Sequence, residues 1–145
     1  MATQANPPPT FIYKIISSAT PPDEPLPTAL PVSPLDQRSQ FIHASTSAQV
    51  LGTLNAFFAD EPRIYILRIP YARVKQFVKW EDSNGLSKEE ACWDASVEGG
   101  AGLFPHIYNG LKLGKDEVDE VKIWERNEEG WLAKGWPFGD VDVPK

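Results

Sequence analysis

The chain has two histidines, and each stands in an apolar phrase beside other groups suited to acid/base chemistry. His43 lies in "FIHAST", which also contains Ser45 and Thr46, and His106 lies in "LFPHIYNG", which also contains Tyr108. An imidazole changes its charge near neutral pH, and a phenol both donates and accepts hydrogen bonds. These side chains are therefore suited to proton transfer, and we take His43, His106 and Tyr108 as candidate catalytic residues.

His43 lies in a predicted strand, "QFIHA", three residues before the N-cap of a predicted helix over residues 46–58. Thr46 and Gln49 have the spacing of a capping box, which marks the start of that helix. A helix N-terminus carries unpaired donors and a partial positive charge, so Ser45 and Thr46 are candidate ligands of an anion or oxyanion. The alternative is that His43 is a core residue and the two hydroxyl groups only cap the helix.

His106 and Tyr108 share one face of a predicted strand, because side chains alternate along an extended chain. Pro105 removes one backbone donor, which places this segment at a sheet edge or in irregular structure. A second interpretation makes the two side chains a structural hydrogen bond at that edge. Glu81, after Trp80 at the end of "VKWE", is a candidate base, and an exposed strand-end carboxylate is the alternative.

Six short segments read as strands that position these residues. The pattern predicts an α+β fold, with a small mixed or antiparallel sheet and one main helix packed on it. The strands are "FIYKIIS", "QFIHA", "RIYILRI", "VKWE", "FPHIY" and "VKIWER", and the last is expected to form a hairpin with "WLAKG". We expect residues 1–9 to be a disordered lead-in and residues 10–145 a single compact domain. That domain contains an extended Pro-rich loop (19–36) and an inserted excursion (82–101).

Composition excludes several classes of function. The chain has 145 residues, with 20 acidic and 14 basic side chains and a net charge of -6, which opposes nucleic-acid binding. One cysteine, Cys92, gives neither an internal disulfide nor a Cys-rich zinc site, and the two histidines lack a carboxylate at ligand spacing, so no metal is expected. The sequence contains no apolar run of about 18 residues, the length that would indicate a membrane span. The expected location is cytoplasmic, and the sequence leaves the oligomeric state open.

The phrases "IYKI", "FIHASTSAQV", "IYILRI", "VKWE", "LFPHIYNGL" and "VKIWER" together resemble the family of the domain of unknown function 952, over residues 11–126. The resemblance implies a compact fold related to ADP-ribosyltransferase-like domains, with NAD or an ADP-ribose-like molecule as a conceivable ligand. Carried over residue by residue, the family motif points to eight positions: His43, Ser45, Thr46, Glu81, His106 and Tyr108, with Tyr13 and Lys14 on the opening strand. We predict a catalytic group of His43, His106, Tyr108 and Glu81, and a substrate-binding group of Ser45, Thr46, Tyr13, Lys14, Trp80 and Phe104.

These observations predict a small enzyme whose pocket lies between the two histidine segments and binds a small, anionic or ADP-ribose-like molecule. His43 is expected as base or orienting group, and His106 with Tyr108 as acid or electrophile. Three alternatives stay open. One is an isomerase, cyclase or hydrolase of a small organic metabolite, and one is a two-histidine phosphoesterase, since "HAS" matches H-x-S. The third is a non-catalytic ligand- or protein-binding module.

Overall fold

A computed structural model of the chain describes residues 9–81 and 103–144. Within these ranges it is an α+β structure, as predicted, but its six strands form two antiparallel sheets where one sheet was expected. None of its helices has the length and apolar character needed to cross a bilayer. The strands are β1 Phe11–Ser17, β2 Ile42–His43, β3 Arg63–Pro70, β4 Val78–Glu81, β5 Phe104–Ile107 and β6 Glu120–Glu125, and the helices are α1 Pro34–Ser39, α2 Ser47–Phe57 and α3 Tyr71–Val74.

The first sheet has the strand order β1-β3-β6 and is antiparallel throughout. Its central strand, β3, is buried on both faces, which explains the nearly continuous apolar run of its sequence. One face packs against a cluster that contains Ile12, Leu67 and Trp80. The other face packs against α2 and a cluster that contains Leu54 and Trp124. This sheet therefore separates two hydrophobic cores.

The second sheet has the order β2-β5-β4 and brings the two histidine segments together. His43 pairs directly with His106, and Glu81 pairs with Phe104. Residues that are directly opposite in an antiparallel pair present their side chains on the same face. A bridge between Tyr13 and Ser45, with backbone hydrogen bonds of 2.8 and 2.9 Å, joins the two sheets.

Helix α2 is the main helix of the described chain, and the prediction for residues 46–58 is confirmed. Gln49 Oε1 accepts a hydrogen bond from the Thr46 N–H at 3.0 Å, which is the returning half of the predicted capping box. The Gln49 amide nitrogen also donates to the Leu103 carbonyl at 2.6 Å. Val50 and Leu54 are the buried residues of the helix. The capping residue therefore fixes the start of α2 beside β5.

The Pro-rich loop over 19–36 was predicted to be extended, and its end is instead the start of helix α1. Ser33 is the N-cap and accepts a hydrogen bond from the Asp36 N–H at 3.2 Å, while Pro34 occupies the first turn. Proline is tolerated there because its missing N–H would have no partner in the helix. Gln40 then leaves the helix with a φ of 63°, so "QFIHA" begins as a strand only at Ile42.

The predicted C-terminal hairpin is also wrong. The turn forms, with a bridge between Asn127 and Gly130, but the chain after it contains a 3-10 helix at Ala133–Gly135 and no strand that pairs with β6 in the described range. The rings of Trp131 and Trp136 pack edge-on against Trp124, with centroids 5.7 and 5.4 Å apart. Packing of three indoles onto the second core draws this segment away from the sheet edge.

Two predictions fall outside the described residues, wholly or almost wholly. These are the lead-in over 1–9, of which only residue 9 is described, and the excursion over 82–101. The single compact domain over 10–145 accordingly stays a prediction. The chain turns at Asn109-Gly110 after β5, where the Asn109 side chain exchanges hydrogen bonds with the Lys112 backbone and Gly110 has a φ of 78°.

Candidate functional site

The two imidazoles meet on one face of the second sheet. The ring centroids of His43 and His106 are 5.0 Å apart, and the ring planes are inclined by 60°. The Phe41 ring contacts both, with centroid distances of 4.5 Å to His43 and 4.3 Å to His106. The side chains lie together because β2 and β5 place them directly opposite each other. Phe41 then supplies an apolar surface that limits how the rings can turn.

His43 is held by a carboxylate from helix α1. Its Nδ1 lies 2.7 Å from Asp36 Oδ1, and its backbone N–H donates to the same oxygen at 3.2 Å. Lys14 donates to Asp36 Oδ2 at 2.7 Å and to the His43 carbonyl at 3.0 Å. Burial alone would raise the pKa of Asp36, but the hydrogen bond from His43 and the charge of Lys14 outweigh burial and lower that pKa. Asp36 is therefore ionised at neutral pH.

An ionised carboxylate only accepts hydrogen bonds, so Nδ1 of His43 carries the proton in the contact with Asp36. This leaves Nε2 without a proton in the neutral ring. A carboxylate that fixes the tautomer of a histidine and stabilises its imidazolium is also found in catalytic triads. Asp36 and His43 thus form a dyad whose second ring nitrogen, Nε2, points away from Asp36.

His106 has its own carboxylate, Glu81. The distance from His106 Nδ1 to Glu81 Oε1 is 3.0 Å, and the Tyr108 hydroxyl donates to the same oxygen at 2.6 Å. Lys79 approaches the other oxygen, with Nζ 3.8 Å from Oε2. Burial lowers the pKa of His106, and the charge of His43 lowers it further, against the opposing effect of Glu81. His106 is accordingly neutral at pH 7.

The two histidines differ in their access to solvent. The His43 side chain is 21% exposed, whereas the His106 side chain is 1% exposed. Within residues 9–81 and 103–144, neither Nε2 has a hydrogen-bond partner. A molecule that arrives from solvent therefore meets His43 first, and His106 lies beneath it. The same described ranges contain no cluster of three or more His, Cys, Asp or Glu side chains that could hold a metal ion.

The comparisons with known proteins identify the family. The family model described as "Protein of unknown function (DUF952)" matches residues 26–121, which include both histidine segments and both carboxylates. The chain belongs to the DUF952 family. Comparison with curated proteins finds no match. The resemblance that the histidine phrases indicated is therefore confirmed.

The chain is similar to solved structures of a protein from Caulobacter crescentus. The crystal structure of its protein CC0527 is 23% identical, has a TM-score of 0.58 and covers 83% of this chain and 91% of its own. A double methionine mutant of CC0527 matches with the same values. The solution NMR structure matches with a TM-score of 0.54 and 23% identity, over 83% of this chain and 90% of that one. These likenesses support the α+β fold alone, and a relationship to ADP-ribosyltransferases stays a prediction.

Five of the residues predicted for this DUF952 site surround the histidine pair or form it. His43, His106, Glu81, Tyr108 and Lys14 are linked by the contacts described above. Their roles in chemistry stay predictions.

A sixth predicted residue, Phe104, is adjacent to these five. It pairs with Glu81 and lies two residues before His106, so it shares a strand face with that histidine.

The predicted anion site at the start of α2 is occupied by a side chain of the chain itself. Asp142 accepts a hydrogen bond from Ser47 Oγ at 3.0 Å and from the Tyr13 hydroxyl at 2.9 Å. Its carboxylate therefore lies near the positive end of the helix dipole. An external anion bound by Ser45 and Thr46 would meet that negative charge, which argues against this part of the prediction.

Tyr13 and Trp80 lie away from the histidines. The Tyr13 ring is fully buried in the second core, where burial and the hydrogen bond to Asp142 raise the pKa of its hydroxyl. Trp80 is 2% exposed in the first core and donates to the Tyr71 hydroxyl at 3.1 Å. It alternates with Glu81 along β4, so its ring lies on the opposite face of the sheet. Neither residue is placed to contact a ligand at the histidine pair.

The sequence interpretation missed Asp36, although a signal for it exists. Ser33 and Asp36 have the S-x-x-D spacing of a capping box, with Pro34 at a favoured first position. That pattern predicts a short helix and places a carboxylate in its first turn. It does not predict that the carboxylate turns to Lys14 and His43 instead of capping the helix. Lys79 was missed as well, because an isolated lysine on a strand carries no signal.

Proposed function

We propose that this DUF952 protein is an enzyme that uses His43 to transfer a proton to or from a small anionic molecule. The observation that carries the proposal is the dyad of Asp36 and His43, whose ring is partly exposed and leaves Nε2 without a partner in the described chain. A histidine oriented by a buried carboxylate is the usual arrangement of a general base or acid at neutral pH.

The second histidine supports the first. His106 is buried and neutral, so it avoids placing a second positive charge 5.0 Å from the His43 ring. Its contact with Glu81 and the hydrogen bond from Tyr108 hold it in one orientation. We therefore assign His43 as the catalytic residue, and His106, Glu81 and Tyr108 as positioning residues. This assignment differs from the sequence prediction, in which His106 and Tyr108 acted on the substrate directly.

The charges around the pair favour an anionic substrate. Among the described residues, two carboxylates, Asp36 and Glu81, lie beside two ammonium groups, Lys14 and Lys79, so these four charges sum to zero. Protonation of His43 then adds one positive charge at the only exposed member of the histidine pair. That charge would attract an anion and stabilise negative charge that develops during a reaction. NAD, ADP-ribose and cyclic phosphates are candidates with this property.

Binding is tested first, with thermal shift and NMR titration against NAD, ADP-ribose, 2′,3′-cyclic AMP and glutathione. The variants are His43→Gln, Asp36→Asn and, as a matched control, Asp119→Asn. Asp119 also holds a cation, Arg68, at 2.9 Å, but it lies away from the histidines. At least one anionic probe is expected to bind the native chain and the control and to bind the first two variants at least tenfold more weakly.

Turnover is tested next, by following any bound probe with ¹H and ³¹P NMR. The proposal predicts a product in the native chain and none with His43→Gln. Binding without turnover would favour the non-catalytic module. Equal binding by the native chain and a folded His43→Gln variant would refute a role for this histidine.

A further inference from the structure

We propose that a cavity beside the edge of β1 is a second binding site, for an extended amide-bearing ligand such as a short peptide with a free carboxylate. The cavity has a volume of about 520 Å³ and lies between Lys14–Ser17 of β1 and the Pro-rich segment. Neither histidine lines it. A volume of this size is typical of small-molecule sites, which are mostly apolar with a few convergent polar groups.

The first polar feature is the backbone of Ile15. In β1, the N–H and C=O of Tyr13 both bond to Ser45, so they face away from β3. Backbone groups alternate in direction along an antiparallel strand, and those of Ile15 therefore also face away from β3 and towards the cavity that Ile15 lines. Within the described ranges these two groups have no partner on that side. One donor and one acceptor on a strand edge are the pair that a peptide amide recognises.

The second feature is the composition of the opposite wall. The Pro-rich segment runs beside β1 but contributes prolines to the lining, and a proline has no N–H for a ladder hydrogen bond. The segment therefore cannot close the edge of β1 as another strand would. Apolar lining side chains, including Leu30, Val32 and Leu113, give the cavity an apolar surface.

The wall is also held at a fixed distance from the body of the protein. The Leu30 N–H donates to the Leu113 carbonyl at 2.8 Å, and the Lys115 N–H donates to the Pro27 carbonyl at 2.9 Å. A Cβ at Gly114 would lie 2.3 Å from the Pro27 carbonyl oxygen, so only glycine permits this approach. The cavity is therefore built into the fold rather than left by a loose segment.

The third feature is Lys14, which lines the cavity together with its ion-pair partner Asp36. An ammonium group has three donors, and Lys14 uses two of them, on Asp36 and on the His43 carbonyl. The remaining N–H suits a carboxylate of the ligand, one residue along the strand from Ile15. Together these features select an extended peptide that exchanges hydrogen bonds with Ile15 and ends in a carboxylate near Lys14.

The experiment uses N-acetyl-leucyl-leucine and its ester analogue, in which the amide between the two leucines is replaced. Binding is followed by ¹H–¹⁵N NMR titration of the full chain. The dipeptide is expected to shift the Ile15 amide signal, and the ester, which lacks the donor, is expected to bind at least tenfold more weakly. No shift at Ile15 with the dipeptide, or equal binding of the ester, would overturn the proposal.

Two variants test the location. Ile15→Pro removes the cavity-facing N–H without removing a β1–β3 hydrogen bond, and Val32→Trp fills the cavity from its half-buried wall position. Both are expected to lose dipeptide binding, and if Ile15→Pro fails to fold, Val32→Trp decides. Retained binding in the folded variants would overturn the proposal. His43→Gln is expected to keep dipeptide binding, so this test stands apart from that of the proposed enzyme.

Discussion

Replacing Asp36 with asparagine is the sharpest perturbation of the site. The side chain is 2% exposed and makes three hydrogen bonds, two with His43 and one with Lys14. Asparagine has nearly the same shape and keeps one acceptor oxygen, so packing changes little. What the variant removes is the negative charge that lies between the Lys14 ammonium group and the His43 ring. We therefore expect it to report on electrostatics and not on a cavity.

The cost follows from the number and burial of the contacts. A hydrogen bond to a charged group contributes about 1.5–3 kcal/mol, and removal of one partner of a buried ion pair costs about 3–5 kcal/mol. The Lys14 side chain is 13% exposed, and asparagine keeps the bonds to His43 in weakened form, so both effects are partial. We expect Asp36→Asn to lower the free energy of unfolding by about 2–4 kcal/mol at pH 7.

The cost depends on pH because the pKa of Asp36 is lower in the folded state than its ordinary value of 3.8. A carboxylate with a lowered pKa stabilises the fold above its unfolded pKa, and this contribution is lost as the pH falls through the folded pKa. The difference in unfolding free energy between the native chain and Asp36→Asn should therefore be smaller at acid pH than at pH 7. It should decline below about pH 4.

Urea denaturation followed by tryptophan fluorescence measures this difference at each pH. With a urea m-value of about 1.5 kcal/mol per M, the midpoint should fall by about 1.3–2.7 M at pH 7. The control, Asp119→Asn, breaks a more exposed pair with Arg68 and should cost only about 1 kcal/mol. A loss for Asp36→Asn no larger than the control's, or one that does not change with pH, would refute the ionised, buried dyad.

Three further predictions concern other parts of the molecule. Glu81→Gln should lower the pKa of His106 further, because it removes the negative charge that counteracts the effect of burial on this pKa. An NMR titration of the ring protons measures the pKa, and a rise would contradict the contact between His106 and Glu81. Gly114→Ala should destabilise the chain by about 1–3 kcal/mol, because the added Cβ collides with the Pro27 carbonyl. Gly52→Ala, in open space on α2, should stabilise the chain by about 1 kcal/mol in the same urea assay. Similar effects of the two substitutions would contradict the close approach at Gly114. Asp142→Asn should lower the pKa of Tyr13 towards its ordinary value, because burial of the ring persists but the neighbouring negative charge is gone. Ultraviolet pH titration measures this pKa, and an unchanged titration would argue against the contact between Tyr13 and Asp142.

Local patterns predicted most of the framework. β1 and β4 have the predicted bounds, and α2 begins at the predicted capping box, because apolar periodicity and end signals act over a few residues. Local patterns do not predict which strand pairs with which, so they do not predict that β2 lies directly opposite β5.

The errors have a common physical origin in long-range contacts. Asp36 is seven residues from His43 and 22 from Lys14, and only the folded chain brings the three together. The turn and the apolar residues of the C-terminal segment predict a hairpin. In the structure three tryptophans bury their rings in the second core instead, so tertiary packing prevails over the local preference for a strand.

The central claim is that His43 holds its proton on Nδ1 towards Asp36 and presents Nε2 to incoming molecules. Long-range ¹H–¹⁵N NMR of the histidine rings assigns the tautomer directly, and we would record it with the native chain between pH 6 and 8. We expect that the neutral form of both histidines carries its proton on Nδ1, and that only the His43 Nε2 signal responds to a bound anion. A neutral His43 protonated on Nε2, or a response confined to His106, would contradict it.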